Sequence, residues 1–404
     1  VQPSATDSFS PASIGKTLRI YHPGFLTLLS SLPVFRIFDR YLIKNFLVPF
    51  IYTLFILIAI WLVYDLGVHA NDFQGTHLSF RAIAQFYLIQ IPFVMVNCLP
   101  LCVLLGLLYM LTRMSRRNEI VSILSAGVSV FRLLMPLILV GVFLMGLMTF
   151  LNYDLGPKGS DSTFLLDEIA KGRSKKSLLD GYVFPNRKEH RLWYMQQLNT
   201  KTEQMTNVQV IQMDDRGVIQ SKIYGASVLY DSARKAWIFY DGKFAEMDPE
   251  GNVTSDEYFE KKEVTNWSET PWRLASGSLK GKYMTVPQLT QYLKENSDFP
   301  EANLADYRTQ FWCRFSVPWT VPVIVLVASP LCIMFSRRGS LTGVAGSLVM
   351  FLGLYVSSFI FPAFGQGALI SPIVAAWGPV AFFFVLGVVL IYLRSTNRPI
   401  PFIE

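Results

Sequence analysis

Six long apolar runs constrain this chain more than any other feature. They cover residues 46–70, 82–111, 129–152, 311–335, 341–363 and 372–393. Each reaches the roughly 20 residues that an α-helix needs to cross a bilayer. Hydrocarbon offers no partner for a backbone N–H or C=O, so such runs must close their hydrogen bonds internally as helices. With 51% hydrophobic and only 16% charged residues among 404, the composition is that of a polytopic membrane protein. The second run is long enough to tilt or project. Pro92 and Pro100 within it, and Pro318, Pro322 and Pro330 around the fourth, predict kinks or local breaks.

A net charge of +7 would suggest nucleic acid for a soluble chain. Here the cations follow the runs instead, and no nucleic-acid partner is implied. Arg36, Arg40 and Lys44 precede the first run, and Arg113, Arg116 and Arg117 end the second. Arg337 and Arg338, then Arg394 and Arg398, fall on the same side. The opposite short connections hold Asp72 and Arg81, and 364–371 carries no charge. The positive-inside rule therefore predicts both termini in the cytoplasm and residues 153–305 outside, which is the periplasm for an inner-membrane protein.

That outer segment has a different character. RLWYMQQ (191–197), NVQVIQM (207–213), ASVLY (226–230), AWIFY (236–240) and KFAEM (243–247) are short, partly alternating and rich in aromatic and β-branched residues. Asp214-Asp215-Arg216-Gly217, Asp231-Ser232 and Asp248-Pro249-Glu250-Gly251-Asn252 supply turns. The pattern predicts a small antiparallel β domain, a sandwich or jelly roll, followed by a short helix over Val286–Glu295 with Leu289, Tyr292 and Leu293 on one face. Residues 1–35 form an extension before the first span. Within it, Gly15-Lys16-Thr17 resembles the tail of a phosphate-binding loop, but the required earlier glycine is Ser10 and no strand precedes it.

Charge, a helix start and a helix stop crowd together at Leu111–Ser129. Asn118 can cap a new helix, with Glu119 in its first turn, where a negative charge is favoured. Ile120, Ile123 and Leu124 form one apolar face, Glu119, Ser122 and Ala126 the polar one, and Gly127 a stop. This predicts a short amphipathic helix near 118–127 with an acid on its open side. Spacing alone leaves two readings, a partner-docking helix and a loop whose arginines only set orientation.

No GxSxG, HExxH or complete Walker A occurs, so neither hydrolysis nor a nucleotide site is expected in this chain, and no cofactor is implied. Cys98, Cys102, Cys313 and Cys332 lie in or beside apolar runs, and the histidines do not cluster in sequence, so no metal site is expected. Within the spans charge is nearly absent: Asp65 lies near the outer end of the first and Arg314 near the outer start of the fourth. Ion-coupled carriers usually need ionisable groups near the midplane. Energy for any transport is therefore expected from a partner. Gly339, Gly343 and Ser347 recur every four residues, a stripe that suits close helix packing or a moving seam.

Several of these features together resemble the lipopolysaccharide-export permease family LptF/LptG, over roughly residues 36 to 395. Its carriers are Asp39-Arg40-Tyr41 opening the first helix, Asn118-Glu119-Ile120 through Ser125-Ala126-Gly127-Val128-Ser129, the order of three spans, β domain and three spans, and Arg314 followed by the apolar run to Pro330. The wording SVLYDSARKAWIF leans towards the LptG branch. The resemblance implies a fold class, a polytopic α-helical membrane protein with six transmembrane helices and an inserted periplasmic β-jellyroll domain. It divides the chain into 1–35, 36–152, 153–305 and 306–404. It further implies a transport subunit that pairs with a second LptF/LptG-type permease subunit and docks on an LptB-like ATPase dimer. LptC/LptA-like periplasmic bridge proteins would receive the lipopolysaccharide. Arg116, Glu119, Ile120, Ile123 and Gly127 then stand at the ATPase-coupling segment, and Asp65 and Arg314 on the lipid path. One departure is that Asp65 and Asp72 occupy a region where some members carry a lysine. Arg314 is the remaining basic group there, as a headgroup contact or as an interfacial anchor. The alternative function is a non-transporting inner-membrane scaffold whose β domain binds other envelope proteins.

Overall fold

The computed structural model describes residues 37–75, 79–161, 169, 178–199, 204–333 and 339–396. The extension 1–35 with Gly15-Lys16-Thr17 lies outside the described residues, as do Arg36, Arg337, Arg338 and Arg398. The first helices are α1 (Ile37–Val68), α2 (Ala70–Gly75), α3 (Phe80–Arg116), α4 (Glu119–Ser125) and α5 (Val130–Phe150). The strands are β1 (Leu178–Asn186), β2 (Arg191–Asn199), β3 (Gln204–Met213), β4 (Ile219–Asp231), β5 (Ala236–Met247) and β6 (Val253–Thr265). There follow α6 (Pro271–Ser276), α7 (Val286–Glu295), α8 (Glu301–Ser316), α9 (Thr320–Cys332), α10 (Gly339–Gln366) and α11 (Pro372–Ser395). Six helices are long and apolar enough to cross a membrane: Ile37–Val68, Phe80–Arg116, Val130–Lys158, Glu301–Cys332, Thr342–Gln366 and Pro372–Ser395. The protein is a polytopic helical membrane protein with a β domain inserted between its third and fourth spans.

Two details depart from the sequence expectation. The spans extend past the apolar runs, with α1 starting at Ile37 and the fourth span at Glu301. Hydropathy reads only the hydrocarbon-facing part of a helix, whereas its hydrogen bonds continue into the interface. Pro92 and Pro100 also lie within an uninterrupted α3. Of the prolines named, Pro318 alone falls in a change of helix type, a 3-10 turn at Val317–Trp319. Packed neighbours accommodate a proline that would break an isolated helix.

α9 is the centre of the bundle. Every residue from Thr320 to Cys332 is buried, and α3, α5, α10 and α11 pack around it. A helix apolar on all sides is the one that neighbours enclose. By contrast α1 leaves Phe55, Ile56 and Ile60 exposed, and α10 leaves Leu352, Phe359 and Ile360 exposed. Polar contacts tie the arginine-rich end. Arg132 Nη2 of α5 donates to Asp39 Oδ2 of α1 at 2.9 Å, and Arg394 Nη2 of α11 donates to the Ile333 carbonyl after α9.

The strands pair antiparallel in chain order, β1-β2-β3-β4-β5-β6. This is an up-and-down meander; the Greek-key crossover of a jelly roll does not occur among the described strands. One transverse row interrupts every ladder. Gly181, Gln196, Asn207, Ala226, Asp241 and Glu260 stand opposite one another, and the pairing skips each of them. Gly181, Asn207 and Asp241 have φ of 62°, 49° and 48°. The ladders resume in register beyond the row, yet the buried face changes phase. In β2, Trp193 and Met195 are buried before it and Leu198 after it; in β3, Met205 before and Val208 and Val210 after. The segments 236–240 and 243–247, expected as separate strands, are one strand β5 crossing this row.

A buried ion pair closes the sheet's inner face. Glu269, fully buried, accepts from Arg191 Nε and Nη2, each at 3.0 Å, and from Asn186 Nδ2 at 2.7 Å. The Glu269 carbonyl accepts from Trp237 Nε1 at 2.9 Å. Burial pushes the Glu269 carboxyl up, but Arg191 and Asn186 prevail and hold it below the usual glutamate value. Because its folded pKa is depressed, its stabilisation is complete above the ordinary value of about 4.3 and is lost as pH falls through the folded value. Arg191→Leu leaves the carboxylate buried without a counter-charge, with Asn186 its remaining side-chain donor, and should cost the β domain about 3–5 kcal/mol. Thermal unfolding followed by tryptophan fluorescence should show this loss at pH 7 and a smaller mutant-to-wild-type gap near pH 3. An equal gap at both pH values would assign the effect to lost packing instead.

Candidate functional site

The short amphipathic helix is present as α4, between the arginine-rich ends of α3 and α5. Ile120 is fully buried in the core cluster that also holds Leu111, Met114 and Val130. Ile123 and Leu124 are half-buried against the same cluster, while Val121, Ser122 and Ser125 are exposed. Gly127 ends the helix with φ +86°. Its N–H bonds the Leu124 carbonyl at 3.0 Å, and Val128 N–H bonds Ile123 at 3.4 Å, the paired closure of a Schellman motif. A left-handed backbone there favours glycine.

Two sequence expectations are corrected at this helix. Asn118 occupies the cap position but makes no side-chain cap bond; its backbone is left-handed, φ 57°. Asn tolerates that conformation, which turns the chain from α3 into α4. Glu119 is also not on an open side. Tyr41 OH of α1 donates to its Oε2 at 2.7 Å, and Arg117 Nη1 lies 3.8 Å from Oε1. Periodicity within α4 could not reveal that α1 passes beside it. Arg116 is exposed at the end of α3.

At the opposite end of the spans, Asp65 and Arg314 are placed in separate surroundings and do not touch among the described residues. Asp65 is buried beside His69, whose Nδ1 is 3.3 Å from Oδ2. Trp61, Phe73, Phe86 and Tyr87 form an aromatic cluster around this corner. Arg314 is spent on protein. Its Nη1 donates to Asn152 Oδ1 at 3.1 Å, and its Nη2 to the carbonyls of Lys282 at 2.6 Å and Met284 at 3.2 Å. Asn152 Nδ2 returns a bond to the Arg314 carbonyl at 2.9 Å. The third and fourth spans and the segment leading into α7 therefore meet at this guanidinium. Sequence reasoning missed the Tyr41–Glu119 and Asp39–Arg132 contacts and the role of Asn152; Asp39 and Tyr41 entered it only through the family resemblance, and Asn152 only as a polar side chain at the end of an apolar run.

The small-residue stripe is partly an internal contact. Ser347 is buried and donates to the Gly343 carbonyl at 2.8 Å, with Cys332 Sγ of α9 at 3.4 Å. A Cβ on Gly343 would come 2.2 Å from the Leu331 carbonyl oxygen. Gly339 begins α10. Gly343→Val must push α9 and α10 apart, an overpacking cost of about 1–3 kcal/mol. The unfolding temperature in detergent should fall. Gly146→Ala, where nothing lies within 4 Å, should leave it unchanged.

Comparison with known proteins matches this architecture. The family described as lipopolysaccharide export system permease LptF/LptG matches residues 40–393. The chain is similar to the lipopolysaccharide export system permease protein LptG of Escherichia coli (strain K12). They are 21% identical over 377 residues, covering 89% of this chain and 99% of the relative. The LptG of Escherichia coli O6:H1 (strain CFT073) matches with the same identity and coverage. The match spans all six membrane helices and the inserted sheet, and the chain belongs to the LptF/LptG family of lipopolysaccharide export permeases.

Proposed function

We propose that this chain is an LptG-like transmembrane subunit of an ATP-driven lipopolysaccharide exporter in the bacterial inner membrane. Both termini and α4 face the cytoplasm, and the β domain, within 153–305, faces the periplasm. The observation that carries this reading is α4: a short helix whose Ile120 is locked into the span core while its outer face stays open. Such a helix can pass a push into the bundle. An LptB-like ATPase dimer docks at the segment holding Arg116, Glu119, Ile120, Ile123 and Gly127. The Tyr41–Glu119 bond carries its movement to α1, and Asp39–Arg132 carries it on to α5.

The exposed apolar faces of α1 and α10 suit a second LptF/LptG-type subunit, across which the lipid cavity would form. Lipopolysaccharide enters near the Asp65 end of the spans, and LptC/LptA-like bridge proteins receive it from the β domain. Arg314 serves as the anchor of that entrance, because its guanidinium is already bonded to Asn152 and two backbone carbonyls. Gly343 and Ser347 keep α10 close to α9, and Gly339 continues their four-residue spacing one turn earlier.

The tagged full chain purified from its native membrane in mild detergent should bring down a small ATPase and a second six-span subunit. Glu119→Lys should lose the ATPase and stop export while the chain stays in the membrane. Tyr41→Phe removes the internal bond without reversing charge, so it should keep the ATPase bound and weaken the coupling of hydrolysis to export. Normal ATPase recovery and export in Glu119→Lys would sink the docking role. Recovery of envelope proteins alone would favour the scaffold.

A further inference from the structure

We propose that the arginine-rich end of the bundle holds a groove that binds an acidic glycerophospholipid of the cytoplasmic leaflet. The leaflet assignment rests on the orientation proposed above. A groove of about 1410 Å³ opens between α1, α3 and α10. Helical spacing builds it from both sides. Lys44, Val48 and Tyr52 recur at every fourth position of α1, and Leu105, Tyr109 and Arg113, joined by Arg116, recur along one side of α3. Val344 and Leu348 of α10 complete the wall.

The two halves of the groove differ in chemistry. α1 and α3 run antiparallel, so Lys44 near the start of one and Arg113 and Arg116 near the end of the other meet at the same end. From Arg116 to Leu105 the helix rises about 16 Å, at about 1.5 Å per residue, into an aliphatic and aromatic zone. A ligand filling the whole groove must be anionic at one end and apolar along the other. Among the described residues, Lys44, Arg113 and Arg116 form no ion pair, whereas Arg117 faces Glu119 at 3.8 Å. The cationic end of the groove is thus lined by Lys44, Arg113, Arg116 and Arg117, and an anionic headgroup complements it. Arginine forks match phosphate oxygens, and basic pockets between spans on the cytoplasmic side hold acidic lipid headgroups. Free phosphate would occupy only the cationic end and leave the apolar wall uncovered. The groove lies at the opposite end of the spans from Asp65 and Arg314, so it is separate from the proposed cargo entrance. It also borders α1 about one turn from Tyr41, whose hydroxyl donates to Glu119.

The test uses the full chain with its copurifying subunits, delipidated and titrated with cardiolipin, phosphatidylglycerol or phosphatidylethanolamine, and read by native mass spectrometry. The acidic lipids should be retained and phosphatidylethanolamine should not. Lys44→Ala with Arg113→Ala should weaken acidic-lipid retention roughly thirtyfold, given the attraction each cation exerts near an acidic headgroup. Leu348→Trp fills the apolar half, so it should also reduce lipid retention while the cations remain. Equal retention of neutral and acidic lipids, or no change in both variants, overturns the proposal. So does displacement of the lipid by millimolar inorganic phosphate, which assigns the groove to a free anion. Leu348→Cys crosslinking to a second subunit in place of lipid overturns it as well. Acidic lipid in the groove without any copurifying ATPase supports this inference and counts only against the exporter reading. ATPase and second subunit present with an empty groove does the opposite: it overturns this inference and supports the exporter.

Discussion

A polypeptide in hydrocarbon has nothing to hydrogen-bond with except itself. Most of this molecule follows from that constraint. It makes each apolar run a helix, and it sends irregular backbone to the two ends of the bundle. It also explains why α9 can be apolar on every side: enclosed by α3, α5, α10 and α11, it has no water-facing surface to satisfy. The close approach at Gly343 then sets how near α10 can come. Without a hydrophobic drive between helices in lipid, such small-residue contacts carry much of the association.

The polar groups that remain are concentrated where spans meet water, and they act as ties. At one end Asp39–Arg132 and Tyr41–Glu119 fasten α1 to α5 and to α4. At the other, Arg314 and Asn152 fasten the fourth span to the third, and Arg314 also holds the segment leading into α7. Movement of α4 therefore meets a bundle tied at both ends. The helices with the largest open faces, α1 and α10, also border the cationic groove.

The β domain obeys a different rule. In water its sheet needs one buried face, and a transverse row of interrupted pairing lets that face change phase in mid-strand. An aligned row does this without shifting the register, because every strand skips at the same level. Period-two reading fails at such a row: AWIFY and KFAEM look like separate strands because the alternation stops at Asp241 and Gly242. β6 is not legible for a related reason. As an edge strand it is exposed along nearly its whole length, so it shows little alternation.

The sequence by itself determined the number of spans, the place of the inserted β domain, the α7 helix at Val286–Glu295, and the short helix with its glycine stop. These are one-dimensional properties: apolar length, helical spacing, turn residues and the sign of charge beside each run. Only the tertiary structure decided the partners. Glu119 looks open in the sequence because α4's own periodicity carries no record of α1, 78 residues away along the chain. Arg314 looks like a free cation because Asn152 lies 162 residues earlier. Lys44 and Arg113 look like orientation signals, and become the cationic end of one groove only when antiparallel helices bring them together. Spacing along a chain fixes which residues share a face; which faces meet is fixed by packing, and the chemistry of this protein's polar residues lies in those meetings.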